Sequence, residues 1–72
     1  MKLNALEISS FTLEEVKNSD KQLFNLKFES KHKIDDIDEV LILGNDRFII
    51  LNGYHYTQMK EHYYSYNLKY YN

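Results

Sequence analysis

Seven tyrosines fall within eighteen residues near the C-terminal end: Tyr54, Tyr56, Tyr63, Tyr64, Tyr66, Tyr70 and Tyr71. In extended chain, alternate side chains point to opposite faces, so some of these rings belong to a core and others lie outside. If Tyr64, Tyr66 and Tyr70 point inward, Tyr63 and Tyr71 point outward, and the reverse. An outward tyrosine offers a large apolar area, few rotatable bonds and one polar tip, which suits a protein interface. The same rings could stack unpaired bases, but that chemistry comes with a basic groove. The charged neighbours here are Lys60, Glu61 and Lys69, with His55 and His62, so a protein partner is better supported than a nucleic acid.

A second cluster, Asp35, Asp36, Asp38 and Glu39, places four carboxylates in five residues. Oxygen ligands of this kind hold hard cations, but the spacing is not that of an EF-hand and no glycine supplies the required turn. The expectation is a solvated acidic loop, without a metal. Its charge of −4 could occupy a partner's basic groove, although Lys31, His32 and Lys33 just before it offset part of the field. His55 and His62 would face one another if a hairpin turned between them. With no Cys and no His-x3-His spacing, two cross-strand histidines are expected rather than a zinc site. No Ser-His-Asp or Cys-His set, nucleophile elbow or phosphate-binding loop is present, so no catalytic residue and no cofactor is predicted.

Strands must position these groups. Between Gln22 and Glu29, Phe24, Leu26 and Phe28 share one face while Asn25, Lys27 and Glu29 share the other, the pattern of a half-buried strand. Residues 31–39 read as a loop. Val40–Leu43 and Phe48–Leu51 are short apolar runs flanking Gly44-Asn45-Asp46-Arg47, a hairpin buried on both faces. Asn52-Gly53 follows at once and predicts a second tight turn, with Tyr54–Gln58 folding back on Phe48–Leu51. The C-terminal stretch reads as strands over Tyr54–Met59 and Tyr63–Tyr70, turning near Lys60-Glu61-His62. A helix over 57–70 is the alternative, since Tyr56, Met59, Tyr63, Tyr66 and Tyr70 follow helical spacing. Tyrosine favours strands, which decides for the former.

The N-terminal part is similarly divided. Leu3–Ile8 reads as a strand, and Phe11–Lys17 with Lys21–Glu29 reads as a hairpin turning at Asn18-Ser19-Asp20. Against this, Thr12-Leu13-Glu14-Glu15 is a capping box, and Phe11 with Val16 would make a hydrophobic staple, so a helix over 13–17 is the alternative. Such a helix is little more than one turn and needs tertiary support. The predicted class is therefore mainly β: a small antiparallel meander or curled barrel of five to six strands, with room for one short helix. The alternative is an α+β fold with helix 13–17, helix 57–70, or both.

Size and composition set the outer bounds. Seventy-two residues allow one domain, 1–72, with a core that buries only about 60% of the unfolded surface. There is no Cys to staple it, which fits a reducing compartment, and no apolar run long enough to span a membrane. The opening residues break at Glu7 and make no signal-peptide core, so the chain reads as a complete cytoplasmic protein. The net charge of −2 is too small to argue for a polyanion partner. Eight Lys to one Arg, seven Asn, six Ile, one Ala and no Pro indicate a low-GC genome, that of a Gram-positive bacterium, its phage or a mobile element. The resulting expectation is a non-enzymatic phage or mobile-element protein that binds and inhibits a host protein by occlusion. Its surface would comprise Tyr54, Tyr56, Tyr63, Tyr64, Tyr66 and Tyr71 with Asp35, Asp36, Asp38 and Glu39. The other expectations are a single-stranded nucleic-acid-binding barrel using tyrosine stacking and a homo-oligomeric structural module with the tyrosine face as its interface; an open edge strand also invites a homodimer.

Overall fold

A computed structural model describes residues 2–5, 8, 10–16, 22–42 and 45–71. It contains six strands: β1 (Lys2–Asn4), β2 (Phe11–Glu15), β3 (Leu23–Ser30), β4 (Glu39–Ile42), β5 (Asp46–Gln58) and β6 (Glu61–Tyr70). They form one sheet in the order β1-β4-β5-β6-β3-β2. The mainly β class is as the alternation predicts. The order departs from a simple meander, because β3 joins the far side of β6 and β1 pairs parallel with β4.

One face of the sheet carries the core. Leu3, Leu26, Phe28, Val40, Ile42, Phe48, Tyr64 and Leu68 are buried there. Their register explains the grouping: Phe24 stands opposite Leu68, Leu26 opposite Tyr66, Phe28 opposite Tyr64, Val40 opposite Phe48 and Leu3. A single sheet cannot bury a face against itself without a cover. Ala5 and Ile8 supply part of it, and the 31–38 segment supplies more through Ile34 and Ile37. That segment is pinned where Ile34 N–H donates to the Tyr64 hydroxyl at 2.7 Å and Ile50 N–H donates to the Asp38 carbonyl at 3.2 Å. The segment expected as an acidic loop is thus a loop, and it crosses the core face.

The N-terminal helix alternative is overturned. Phe11–Glu15 is β2, paired antiparallel with β3 from Phe11–Phe28 to Glu15–Phe24. Pairing with β3 satisfies the backbone groups on one side of the segment and lets half-buried Leu13 pack against the core, which one isolated helical turn cannot match. The expected turn at residues 18–20 lies outside the described residues, as do Leu6 and Glu7 of the expected Leu3–Ile8 strand; β1 itself ends at Asn4. The C-terminal helix alternative is overturned as well, since residues 46–58 and 61–70 are two long antiparallel strands.

The expected turn at Asn52-Gly53 does not form. β5 runs straight through it, with an irregular register between Ile50 and Asn52 that leaves Leu51 as an extra residue, a β-bulge. Asn52 pairs with Asn67, whose Nδ2 donates to the Asn52 Oδ1 at 2.6 Å. Gly53 serves a different need from a turn. A Cβ there would stand 2.3 Å from Cδ1 of Tyr66 and 2.5 Å from the Ser65 carbonyl oxygen, so the Tyr66 ring packs over bare backbone. The chain reverses instead at Met59-Lys60, between the paired residues Gln58 and Glu61. Both turn residues have positive φ (51° and 66°), the signature of a two-residue type I′ hairpin. Turning there lets the ten residues of β6 pair along nearly all of β5.

Candidate functional site

The bulge decides which tyrosines reach solvent. Phe48 and Ile50 lie on the core face. Unbroken alternation would send Tyr54 and Tyr56 to the same face. The extra residue at Leu51 reverses the parity, so Gly53, His55 and Thr57 take the core side while Asn52, Tyr54 and Tyr56 take the outer side. Across the ladder, Tyr54 faces Ser65 and Tyr56 faces Tyr63. The result is a row of three rings on the outer face. Tyr54 and Tyr56 have centroids 6.3 Å apart and planes at 21°; Tyr56 and Tyr63 are 5.0 Å apart at 15°. Tyr54 is 61% exposed, Tyr56 48%, and Met59 at the hairpin tip 88%.

The row lines an open groove of about 380 Å³, whose other side is built from Ser10, Phe11 and Thr12 at the start of β2, with Lys27 and Glu29 of β3. A polar ladder continues the outer face beside it. The Asn25 side-chain amide donates to Asn67 Oδ1 at 3.1 Å, and Asn67 donates onward to Asn52. Glu29 stands directly opposite Tyr63, and Glu61 lies two residues before it on the same strand and face. Burial, then the charges of Glu29 and Glu61 and the neighbouring Tyr56, hold the Tyr63 hydroxyl above the usual phenol pKa. That ring stays neutral at physiological pH and sits in a negative field.

The remaining expected residues separate. Tyr64 is buried, stacked on Phe28 at 4.7 Å, and Tyr66 packs at the edge of the core. Tyr71 is exposed, but eight residues from Tyr63, about 26 Å along a strand. There Arg47 lies over its ring at 4.4 Å while donating to Glu39 at 2.6 Å. Glu39 therefore belongs to β4 and to an ion pair, with Lys2 a second cation at 3.8 Å. Asp35 pairs with Lys33 at 3.6 Å. Asp35, Asp36 and Asp38 are exposed, on the segment that crosses the core face. The sheet thus lies between the three aspartates and the tyrosine row, and the two halves of the expected surface are not brought together.

His55 and His62 do meet. Their ring nitrogens are 2.8 Å apart, and His55 also stacks on Tyr64 at 4.7 Å. A hydrogen bond between two imidazole nitrogens needs one of them unprotonated. Among the described residues no group of three or more His, Cys, Asp or Glu side chains gathers as a metal site would require. Sequence reasoning missed Phe11, Lys27 and Glu29 as walls of the groove. The signal for Lys27 and Glu29 was their place on the polar face of the clearest strand; what was lacking was the register joining that face to Ser65 and Tyr63. No family model, curated protein or solved structure matches the chain.

Proposed function

We propose that this chain is a small non-enzymatic interaction protein that binds another protein through the outer face of the β5–β6 ribbon and inhibits it by occlusion. The observation that carries the reading is the row of Tyr54, Tyr56 and Tyr63 on one open groove, with Met59 uncovered at the tip. Aromatic and methionine side chains gathered on a surface, where water gains nothing by holding them, are what interfaces use as anchors. The rings are preordered by stacking and by a continuous two-strand ladder, so little side-chain freedom is lost on binding. The low-GC coding bias favours a phage or mobile element as source, and hence a bacterial host protein as target in the host cytoplasm.

A tagged chain, incubated with nuclease-treated and untreated lysate of a low-GC bacterium, tests this. The expected result is one stoichiometric protein retained after nuclease and lost when Tyr54, Tyr56 and Tyr63 are all changed to Ala in a folded chain. Recovery dependent on intact nucleic acid would move the reading to base stacking on the same rings. A second reading, self-association, draws on the strand order, in which β1 and β2 are the two ends of the sheet. It predicts a dimer at micromolar concentration, read by sedimentation.

A further inference from the structure

The surface around Tyr63 sets aromatic faces beside carboxylates, as a receptor for a cation does, and the chain contains its own example of that recognition. At the other end of the outer face, the Arg47 guanidinium rests 4.4 Å above the Tyr71 ring centre, and its Nη2 donates to Glu39 at 2.6 Å. One tyrosine face and one carboxylate together hold one guanidinium. Around Tyr63 the same partners recur without the cation. Tyr56 and Tyr63 stack as a pair, Glu29 stands opposite Tyr63, and Glu61 shares its strand and face. Among the described residues no ion pair engages Glu29 or Glu61. Both carboxylates act on the Tyr63 hydroxyl and help hold its pKa up, while Lys27 lines the same groove on the next outward position of β3.

Resting on the binding reading above, we infer that Tyr56, Tyr63, Glu29 and Glu61 form a docking site for an arginine side chain of a protein partner. A ring face attracts a cation through its quadrupole, and a flanking carboxylate fixes the direction of approach. Guanidinium is planar, so it lies flat on an aromatic ring and still presents N–H groups in its plane to a carboxylate. A tetrahedral ammonium has no plane to lay on the ring and is more strongly hydrated, so it gains less from the same pair of partners. Two carboxylates beside the rings repel phosphate, which sets this surface against a nucleic-acid backbone. Charge complementarity therefore selects a basic protein segment as the occupant.

The test uses the whole chain labelled with nitrogen-15, titrated at low salt with the peptide acetyl-Gly-Arg-Gly-Arg-Gly-amide. Its citrulline counterpart, equal in shape and uncharged, and its lysine counterpart are titrated alongside. Saturable amide shifts at Glu29, Tyr56, Glu61 and Tyr63, at least about fivefold weaker with citrulline, are expected. The combined change Glu29→Gln and Glu61→Gln should weaken arginine-peptide binding about fivefold or more without altering the rest of the spectrum. Equal shifts from the citrulline peptide would overturn the inference, as would shifts centred on Asp35, Asp36 and Asp38, or no saturation. Lysine binding as tightly as arginine would overturn the choice of guanidinium. In the lysate experiment, a partner lost with the three tyrosines but kept by the glutamine variant refutes the arginine site and leaves the binding reading standing. A partner kept by the tyrosine variant refutes that reading itself.

Discussion

Replacing Gly53 by Ala tests the account of β5 directly. In an ordinary strand interior, Gly→Ala stabilises by roughly 0.5–1 kcal/mol, because the unfolded chain loses freedom. Here the sign should reverse. The new Cβ would meet the Tyr66 ring at 2.3 Å and the Ser65 carbonyl oxygen at 2.5 Å. A ring can swing away, at the expense of its contacts with Phe28 and Tyr64. A backbone oxygen moves only if the β5–β6 ladder shifts with it. Overpacking of this kind costs typically 1–3 kcal/mol, and a backbone contact puts this case at the upper end, about 2–3 kcal/mol. A domain of this size has about 4–10 kcal/mol in all, so the loss is a large fraction. Urea unfolding followed by tyrosine fluorescence reads it: with a slope near 1 kcal/mol per molar, the midpoint should fall by about 2–3 M. In a Tyr66→Ala background the same change should cost only about half as much, because the ring is gone and the Ser65 oxygen remains. An unchanged or raised midpoint for Gly53→Ala would refute the packing of Tyr66 over Gly53 and with it the course of β5.

Further expectations follow from other parts of the chain. Replacing Met59-Lys60 by Asn-Gly relieves two left-handed residues and should stabilise by about 1–2 kcal/mol in the same assay; a loss would refute the type I′ turn. Arg47→Ala should lower the urea midpoint, since it leaves half-buried Glu39 with only the distant Lys2; an unchanged midpoint would refute a structural role for the pair. The pKa values of Tyr63, Tyr66 and Tyr70 are all raised: by burial first for Tyr63 and Tyr66, by the hydrogen bond to Asp46 first for Tyr70. The unfolded chain loses these protons more readily, so the stability they confer is fully present below about pH 10 and lost as pH climbs through the folded values. Urea midpoints between pH 9 and 11 should fall, and Tyr70→Phe should soften the fall; a flat profile would contradict the shifts.

Strand composition was legible wherever one face is buried. The alternation of Phe24, Leu26 and Phe28 predicts β3, and the apolar runs around Gly44 predict the β4–β5 pairing, because burial imposes a period of two. Asn52-Gly53 misled for a physical reason: a pair that suits a tight turn also suits a bulge and a close approach of a ring, and only the strand opposite decides between them. The turn expected near Lys60-Glu61-His62 does form, one residue earlier at Met59-Lys60; neither residue has a turn preference, so pairing along β5 and β6 sets its place. The outward tyrosines were half legible. Alternation predicts that Tyr63 and Tyr64 part company, but the face of Tyr54 and Tyr56 depends on the single extra residue upstream. Of the two carboxylates beside Tyr63, Glu61 shares its strand and was legible, but Glu29 arrives only through the register of β3, and the acidic cluster drew attention to the opposite face.

The bulge at Leu51 also divides one strand into two regimes of tolerance to mutation. Before it, from Asp46 to Ile50, every residue is at least half-buried, and Phe48 is locked against Phe24 and Tyr70. After it, every residue of β5 through Gln58 is exposed, yet each backbone position still pairs with β6. Gly53 and His55 apart, side chains there can change with little effect on the core, while the ladder keeps presenting them in the same geometry. A chain of this size has little stability to lose, and a ribbon of this kind leaves room for its outward side chains to change without a change in how it folds.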